Sequence, residues 1–181
     1  MTNEEQKIDQ LRNRLKKYKN SCPSHSYFDN SQKWSLAGVI VDKEQVEKIL
    51  LTLMQDEDPI VRWKAIELVR ETKVQSEVII KKLIEHMRSD SSTFVKSEAA
   101  LTLCLFGKDC TEAVSVIKKG LKVHKNWLMC YHSTFAIYCL VKNGIKIDQV
   151  FDDLERLSGE NHPQCIRNVA TQALKKIKEQ G

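Results

Sequence analysis

The feature that most constrains the fold of this chain is an internal repeat. Four short segments, in which an apolar residue is followed four positions later by a small one, recur at residues 61–65, 95–99, 129–133 and 166–170. The first three begin 34 residues apart, and the last begins 37 residues after the third. A period of this length is typical of stacked supersecondary units, each packing on its neighbours. We therefore predict a repeat array, an architecture that favours binding over chemistry in a central cleft.

The composition favours helices and an intracellular protein. Glycine occurs 6 times and proline 3 times in 181 residues, which leaves little material for the many turns of an all-β fold. No apolar stretch approaches the roughly 20 residues of a membrane span. The first residues are acidic and polar, unlike a secretory signal, and the 6 cysteines contain no C-x-x-C pair. The sequence thus predicts a cytoplasmic or nuclear protein with reduced thiols and no membrane partner.

Each repeat has the pattern of two helices joined by a short polar turn. In the first repeat, Asp58 can cap the second helix and Pro59 suits its first turn. Residues 34–41 are interpreted as the end of an earlier second helix, which makes a half repeat. Residues 5–19 carry apolar side chains at helical spacing and predict a capping helix, followed by a linker at 20–28. We therefore divide the chain into a capping helix and linker, 1–28, and a repeat domain, 29–181.

The turn and helix of the first repeat carry a resemblance to a known family. Asp56, Pro59, Val61, Arg62 and Ala65 resemble the HEAT repeat, in which a turn aspartate and a proline precede a second helix that opens with valine and arginine. The resemblance extends over residues 29–179, although Lys96 and Cys130 replace the arginine in the second and third repeats. It implies an all-α fold: a short right-handed α-solenoid of about four HEAT-like helix pairs with an N-terminal half repeat and a capping helix. It also implies an armadillo-like scaffold that binds proteins.

Alignment of the second helices predicts a partner-binding strip on the concave side. Positions two, six and nine after the start of each repeated segment face away from the positions that form the core. Aromatic residues and arginine are common anchors at interfaces, so this strip is predicted to grip a helix or an extended peptide. The candidate residues are Trp63, Glu67, Arg70, Leu101, Trp127, Tyr131, Phe135, Tyr138, Gln172 and Lys175.

Other interpretations stay open for the same residues. The third repeat's second helix, from Trp127, is apolar nearly all round and could instead be buried, for instance beneath residues 1–30. The stretch 113–147 contains lysines and no acidic residue, so nucleic acid is an alternative partner. Some HEAT-like proteins are DNA glycosylases that use tryptophans and an acid, and Trp63 with Glu67 is similar to that arrangement. No aspartate joins the patch around Trp127, so we predict a non-enzymatic protein.

No cofactor, metal or small-molecule substrate is predicted. Cys22-x-x-His25 and His162-x-x-Cys165 each have the spacing of a pair of metal ligands, but the two pairs lie far apart in a linear array. The sequence contains no P-loop, dinucleotide fingerprint or nucleophile elbow. The predicted partner is therefore a protein.

Overall fold

The computed structural model describes residues 2–17, 35–36, 39–40, 45–108, 110–122, 126–147 and 149–180. Their elements are α1 (Asn3–Lys16), β1 (Ser35–Leu36), β2 (Val39–Ile40), α2 (Val46–Met54), α3 (Pro59–Thr72), α4 (Glu77–Ser89), α5 (Thr93–Leu105), α6 (Cys110–Leu121), α7 (Trp127–Lys142), α8 (Phe151–Ser158) and α9 (Gln164–Gln180). From α2 onwards the described helices follow one another as pairs, each pair joined by a short connection. The predicted all-α class and its helix pairs are confirmed. The chain divides into two compact units, Met1–Leu83 and Ile84–Gly181, with the boundary inside α4.

In the N-terminal unit, α1 packs against both α2 and α3. Ile8, Leu11 and Leu15 form the buried face of α1, as the apolar spacing predicted. The start of the helix is fixed by a capping box, in which Thr2 Oγ1 accepts from the Glu5 N–H and Glu5 accepts from the Thr2 N–H. The linker at 20–28 lies outside the described residues.

The predicted half repeat is wrong where the structure describes it. Ser35 pairs with Ile40 and Leu36 with Val39 in a two-residue antiparallel ladder, so this segment is extended rather than helical. The physical reason lies in its residues, because Val39 and Ile40 are β-branched and favour strands. Gly38, between the strands in sequence, is unfavourable within a helix.

The turn between α2 and α3 anchors the capping helix. Asp58 Oδ1 accepts from the Ile60 N–H at 2.9 Å and caps α3, while Asp56 Oδ1 accepts from the Asp58 N–H at 2.9 Å. The other Asp56 carboxylate oxygen accepts a hydrogen bond from Arg12 Nε on α1. Burial opposes ionisation of Asp56, but the Asp58 N–H and the Arg12 guanidinium outweigh it and lower the pKa of this carboxyl.

This ion pair predicts an acid-sensitive contribution to stability. Arg12→Ala is expected to lower the free energy of unfolding by about 1 kcal/mol at pH 7, a modest value because the guanidinium is partly solvated. The pKa of Asp56 in the folded state lies below its usual 3.8, so the stabilisation is present above about pH 4 and is lost as the pH falls through the folded value. Urea unfolding at pH 7 and pH 3 tests this: the difference between wild type and variant should shrink at pH 3. Asn13→Ala, at an exposed position of the same helix, should change stability little at either pH; an Arg12→Ala effect independent of pH would contradict the assignment.

In the C-terminal unit, α7 is the central helix. It packs against α5, α6 and α9, while α6 also packs against α5, and α8 against α9. The small residues Ala99, Ser133 and Ala170 are fully buried here, and so is Ala65 in the N-terminal unit, as the repeat predicted.

Gly120 on α6 lies directly against α7. A Cβ atom at this position would lie 1.9 Å from Ser133 Oγ and 2.8 Å from Met129 Cε. Any side chain at residue 120 would therefore require Ser133 and Met129 to move. Ser133, the small residue of the third repeat, therefore lies against a second small residue, Gly120, on the preceding helix.

Candidate partner-binding face

The predicted strip divides between the two units, and its members differ in accessibility. The structure corrects the prediction for Trp63, Leu101 and Tyr131, which are only 6%, 0% and 3% exposed. Glu67, Arg70, Phe135 and Tyr138 are half-buried, while Trp127, Gln172 and Lys175 are exposed.

Two of the three corrections, Leu101 and Tyr131, have a common physical cause. A helical frame gives the direction of a side chain relative to one buried side of its helix, but α5 and α7 each have neighbours on more than one side. Leu101 lies on α5, which packs against both α6 and α7, and Tyr131 lies on the central helix α7. Trp63 is covered in part by its neighbour, because Lys64 Nζ lies 4.3 Å from the centre of the indole ring.

In the N-terminal unit, the strip residues of α3 form a network of charges. Lys64 Nζ contacts Glu67 Oε2 at 2.6 Å, and Arg70 lies 3.8 Å from Glu67 Oε1 and 2.7 Å from Glu71 Oε1. The Lys64, Glu67 and Arg70 side chains are mostly buried and Glu71 is exposed, and the four compensate each other's charge. In this part of the strip most of the charge is therefore compensated, and the tryptophan is covered.

In the C-terminal unit, the strip residues of α7 form a row of aromatic rings. Tyr131 and Phe135 are stacked in parallel with their centres 6.4 Å apart, and Phe135 and Tyr138 are tilted with centres 6.5 Å apart. Lys142 Nζ lies 6.0 Å from the centre of the Tyr138 ring. Buried Tyr131 thus supports Phe135. The rings are more accessible at Phe135 and Tyr138 than at Tyr131, and the row ends beside the positive charge of Lys142.

Helix α9 lies beside this row. On α9, a hydrogen bond to Glu179 and the charge of that residue raise the pKa of Lys176, and Tyr138 on α7 contributes to the shift in the same direction. The Gln180 side chain donates to the Val141 carbonyl and joins the ends of α9 and α7. Gln172 and Lys175 are exposed on α9. We define the α7–α9 face by Phe135, Tyr138, Lys142, Gln172 and Lys175.

A buried polar pair between α5 and α7 was not predicted from the sequence. His132 Nε2 on α7 lies 2.7 Å from Glu98 Oε2 on α5, and the two residues are 3% and 2% exposed. They occupy the same position in successive repeats, 34 residues apart. That equivalence is the sequence signal that could have found the pair.

The cysteine and histidine pairs carry no metal centre among the residues described. Cys22 and His25 lie outside those residues, and no group of three or more potential ligands there could hold a metal ion. Cys104 and Cys130 are buried cysteines that are not joined in a disulfide, and burial raises the pKa of Cys130. No helix within the described ranges is both long and apolar enough to cross a membrane.

Comparison with known families agrees with the pattern of helix pairs. Residues 34–104 match a family model described as HEAT repeats. The match covers the first two described helix pairs as far as Cys104 on α5. A comparison with curated proteins found no match.

Proposed function

We propose, from the HEAT repeats that this chain carries, that it is a non-enzymatic scaffold which binds an acidic, amphipathic segment of a protein partner on the α7–α9 face. HEAT repeats in general build protein-interaction scaffolds, whose stacked helices present extended binding surfaces. The observation that carries the proposal is the pair Phe135 and Tyr138, half-buried aromatic rings in a row supported by Tyr131. Aromatic residues that are held in place and partly accessible are enriched at the centres of interfaces.

The charge of the face defines the chemistry of its partner. Helix α7 contains no acidic residue, Lys142 Nζ lies 6.0 Å from the centre of the Tyr138 ring, and Lys175 is exposed on α9. The acid of α9, Glu179, is bound by Lys176 at 2.5 Å. A partner that places apolar side chains on Phe135 and Tyr138 and carboxylates beside the lysines complements this surface.

Selection of binding peptides tests this proposal. A display library of random 16-residue segments selected on the whole protein should yield peptides rich in acidic and large apolar residues. Phe135→Ala should weaken their binding at least tenfold, because an aromatic anchor of the interface is removed. Lys175→Glu should also weaken binding, with most of its effect lost at high salt.

A matched control separates the face from general damage to the unit. Phe151→Ala removes another half-buried aromatic ring, on α8, that is outside the face and is covered by Lys178 at 5.5 Å. This variant should bind the peptides as wild type does. Selected peptides that are neutral or basic, or that bind Phe135→Ala as tightly as wild type, would contradict the proposal.

A further inference from the structure

Helix α9 carries a line of side chains that the α7–α9 face does not include. The line consists of Arg167, Thr171, Leu174 and Lys178, which are spaced by four, three and four residues and therefore lie on one side of the helix. We propose that this α9 line binds a helix of a partner protein that carries two acidic residues about three turns apart, with an apolar residue between them. The inference goes beyond the proposed function, because the two surfaces share no residue.

Contacts between α9 and α7 determine which way the line faces. The Gln180 side chain donates to the Val141 carbonyl of α7, and Val169, on the same side of α9 as Gln180, is buried. At 3.6 residues per turn, Val169 and Gln180 lie roughly 160° around the helix from the centre of the α9 line. The line therefore faces away from α7.

The equivalent line on α7 is covered by its neighbours. It is found 37 residues earlier in the sequence and consists of Cys130, Thr134, Ile137 and Val141. All four are buried, and Val141 is joined to α9 through its carbonyl. On α9, in contrast, Thr171 and Lys178 are exposed, and Arg167 and Leu174 are partly exposed. A position that accommodates a neighbouring helix in one repeat is thus accessible in the next.

The two cations of the line have no acidic partner in the part of the chain that the structure describes. Arg167 Nε is buried and makes no hydrogen bond there, so packing holds the stem of this side chain while its charge stays unpaired. Lys178 Nζ lies 5.5 Å from the centre of the Phe151 ring on α8, which holds it at the other end of the line. Both side chains are thus partly ordered before a partner binds, which lowers the entropic cost of binding.

The acids near these cations do not compensate them. On α8, Asp153 is paired with Arg156 at 3.2 Å, and at the end of α9, Glu179 is paired with Lys176 at 2.5 Å. The remaining acids of α8 and of the turn before α9 form no ion pair with either cation of the line. The positive charge at both ends of the α9 line is therefore available to carboxylates of a partner.

Spacing and charge together define the partner. Arg167 and Lys178 are 11 residues apart, roughly 16 Å along α9, with Leu174 between them. A helix that lies along α9, with a carboxylate near each end and an apolar side chain in the middle, complements all three. Helix α1 docks in a similar way within its own unit, since it packs on α2 and α3 through apolar residues and pairs Arg12 with Asp56.

A symmetric pair of copies of this chain lacks the required charge. If the α9 lines of two copies packed against each other, either antiparallel or parallel, cations would lie opposite cations at both ends. Such like charges oppose association. We therefore assign the line to a different protein, and self-association is measured below as the competing outcome.

Selection of helices on the whole protein tests the proposal. The bait carries Phe135→Ala, which removes an anchor of the α7–α9 face, and the library displays one randomised helix on a helical-hairpin scaffold. Enriched helices should carry two acids about eleven residues apart, with large apolar residues between them. The most enriched helix is then made as a peptide and titrated into wild type by isothermal titration calorimetry.

Substitutions on the α9 line should weaken binding of this peptide. Arg167→Gln should weaken it about tenfold, because a partly buried, charge-assisted hydrogen bond is lost. Lys178→Gln, at an exposed position, should weaken it about threefold. Arg167→Glu should abolish binding, and a lysine in place of one of the two acids of the peptide should restore it, whereas the same exchange at the other acid should not.

Control variants keep the result specific to this line. Lys146→Gln removes the charge of an exposed lysine outside the line and should leave the affinity unchanged. Circular dichroism of each variant checks that the fold is retained. Should Arg167→Gln unfold, Arg167→Lys takes its place, and it should weaken binding about threefold because the planar fork of donors is lost.

The proposal is overturned if no acidic helix is enriched, if Arg167→Gln and Lys178→Gln bind the peptide as wild type does, or if no exchange in the peptide restores binding to Arg167→Glu. Analytical ultracentrifugation measures the competing outcome: a wild-type dimer that Arg167→Glu converts to a monomer would assign the line to a second copy and overturn the proposal. None of these results depends on the peptides selected for the α7–α9 face, so failure of one proposal is distinguishable from failure of the other.

Discussion

His132→Leu is expected to lower the free energy of unfolding by about 3–5 kcal/mol. The substitution removes the imidazole that lies 2.7 Å from Glu98 Oε2 and leaves an acid that is 2% exposed without that hydrogen bond. A buried carboxyl group that loses such a partner retains the cost of its removal from water. Urea unfolding followed by circular dichroism measures the change.

The double variant Glu98→Leu with His132→Leu provides the control. Replacement of both polar groups by apolar ones of similar size removes the buried acid that has lost its imidazole partner, so most of the lost stability should return. The two substitutions are therefore expected to be strongly non-additive. Additive effects of Glu98→Leu and His132→Leu would mean that the pair contributes no coupling between α5 and α7.

Gly120→Leu is expected to destabilise the C-terminal unit by about 3 kcal/mol. The first carbon of a side chain would lie 1.9 Å from Ser133 Oγ and 2.8 Å from Met129 Cε, so both side chains must move, and the three further carbons of leucine must also be fitted between α6 and α7. This cost exceeds the gain of about 1 kcal/mol in helix propensity on replacing glycine. The melting midpoint and the urea midpoint should both fall.

Two variants test the cause of this effect. Lys119→Leu places the same side chain at the neighbouring exposed position of α6 and should cost little. Ser133→Ala removes the nearest atom, so Gly120→Ala should be better tolerated in that background than in wild type. An equal cost of Gly120→Ala in both backgrounds would show that Ser133 does not set the distance between the helices.

The sequence predicted those features that depend on one repeat and its neighbours. Ala99 and Ser133 were placed correctly because close helix packing demands small residues at a fixed position of every repeat. Gly120 was not predicted, because it lies on a first helix and its role depends on the exact crossing point with α7. The prediction of a half repeat is wrong at Val39 and Ile40. The spacing from the later repeats indicated a helix there, but these β-branched residues favour a strand, and a strand is what forms.

The sequence predicted correctly only for some of the strip residues whether they are accessible. Phe135 and Tyr138 are partly accessible, as the helical frame implied. Tyr131, on the same side of α7, is buried. A single helix contains no information on how far its neighbours extend along it. The packing of α7 against three helices decides which of its aromatic residues reach the surface.

The pair formed by Glu98 and His132 has a consequence for how this array could change in length. Repeat proteins commonly tolerate the insertion or loss of a unit, because each unit contacts only its neighbours. Insertion of another helix pair between α5 and α7 would separate the carboxylate from the imidazole by one whole unit and deprive two buried groups of this hydrogen bond. Duplication of a unit at this junction should therefore lower stability unless the new unit contains its own acid and histidine. The pair thus fixes which two repeats must be adjacent.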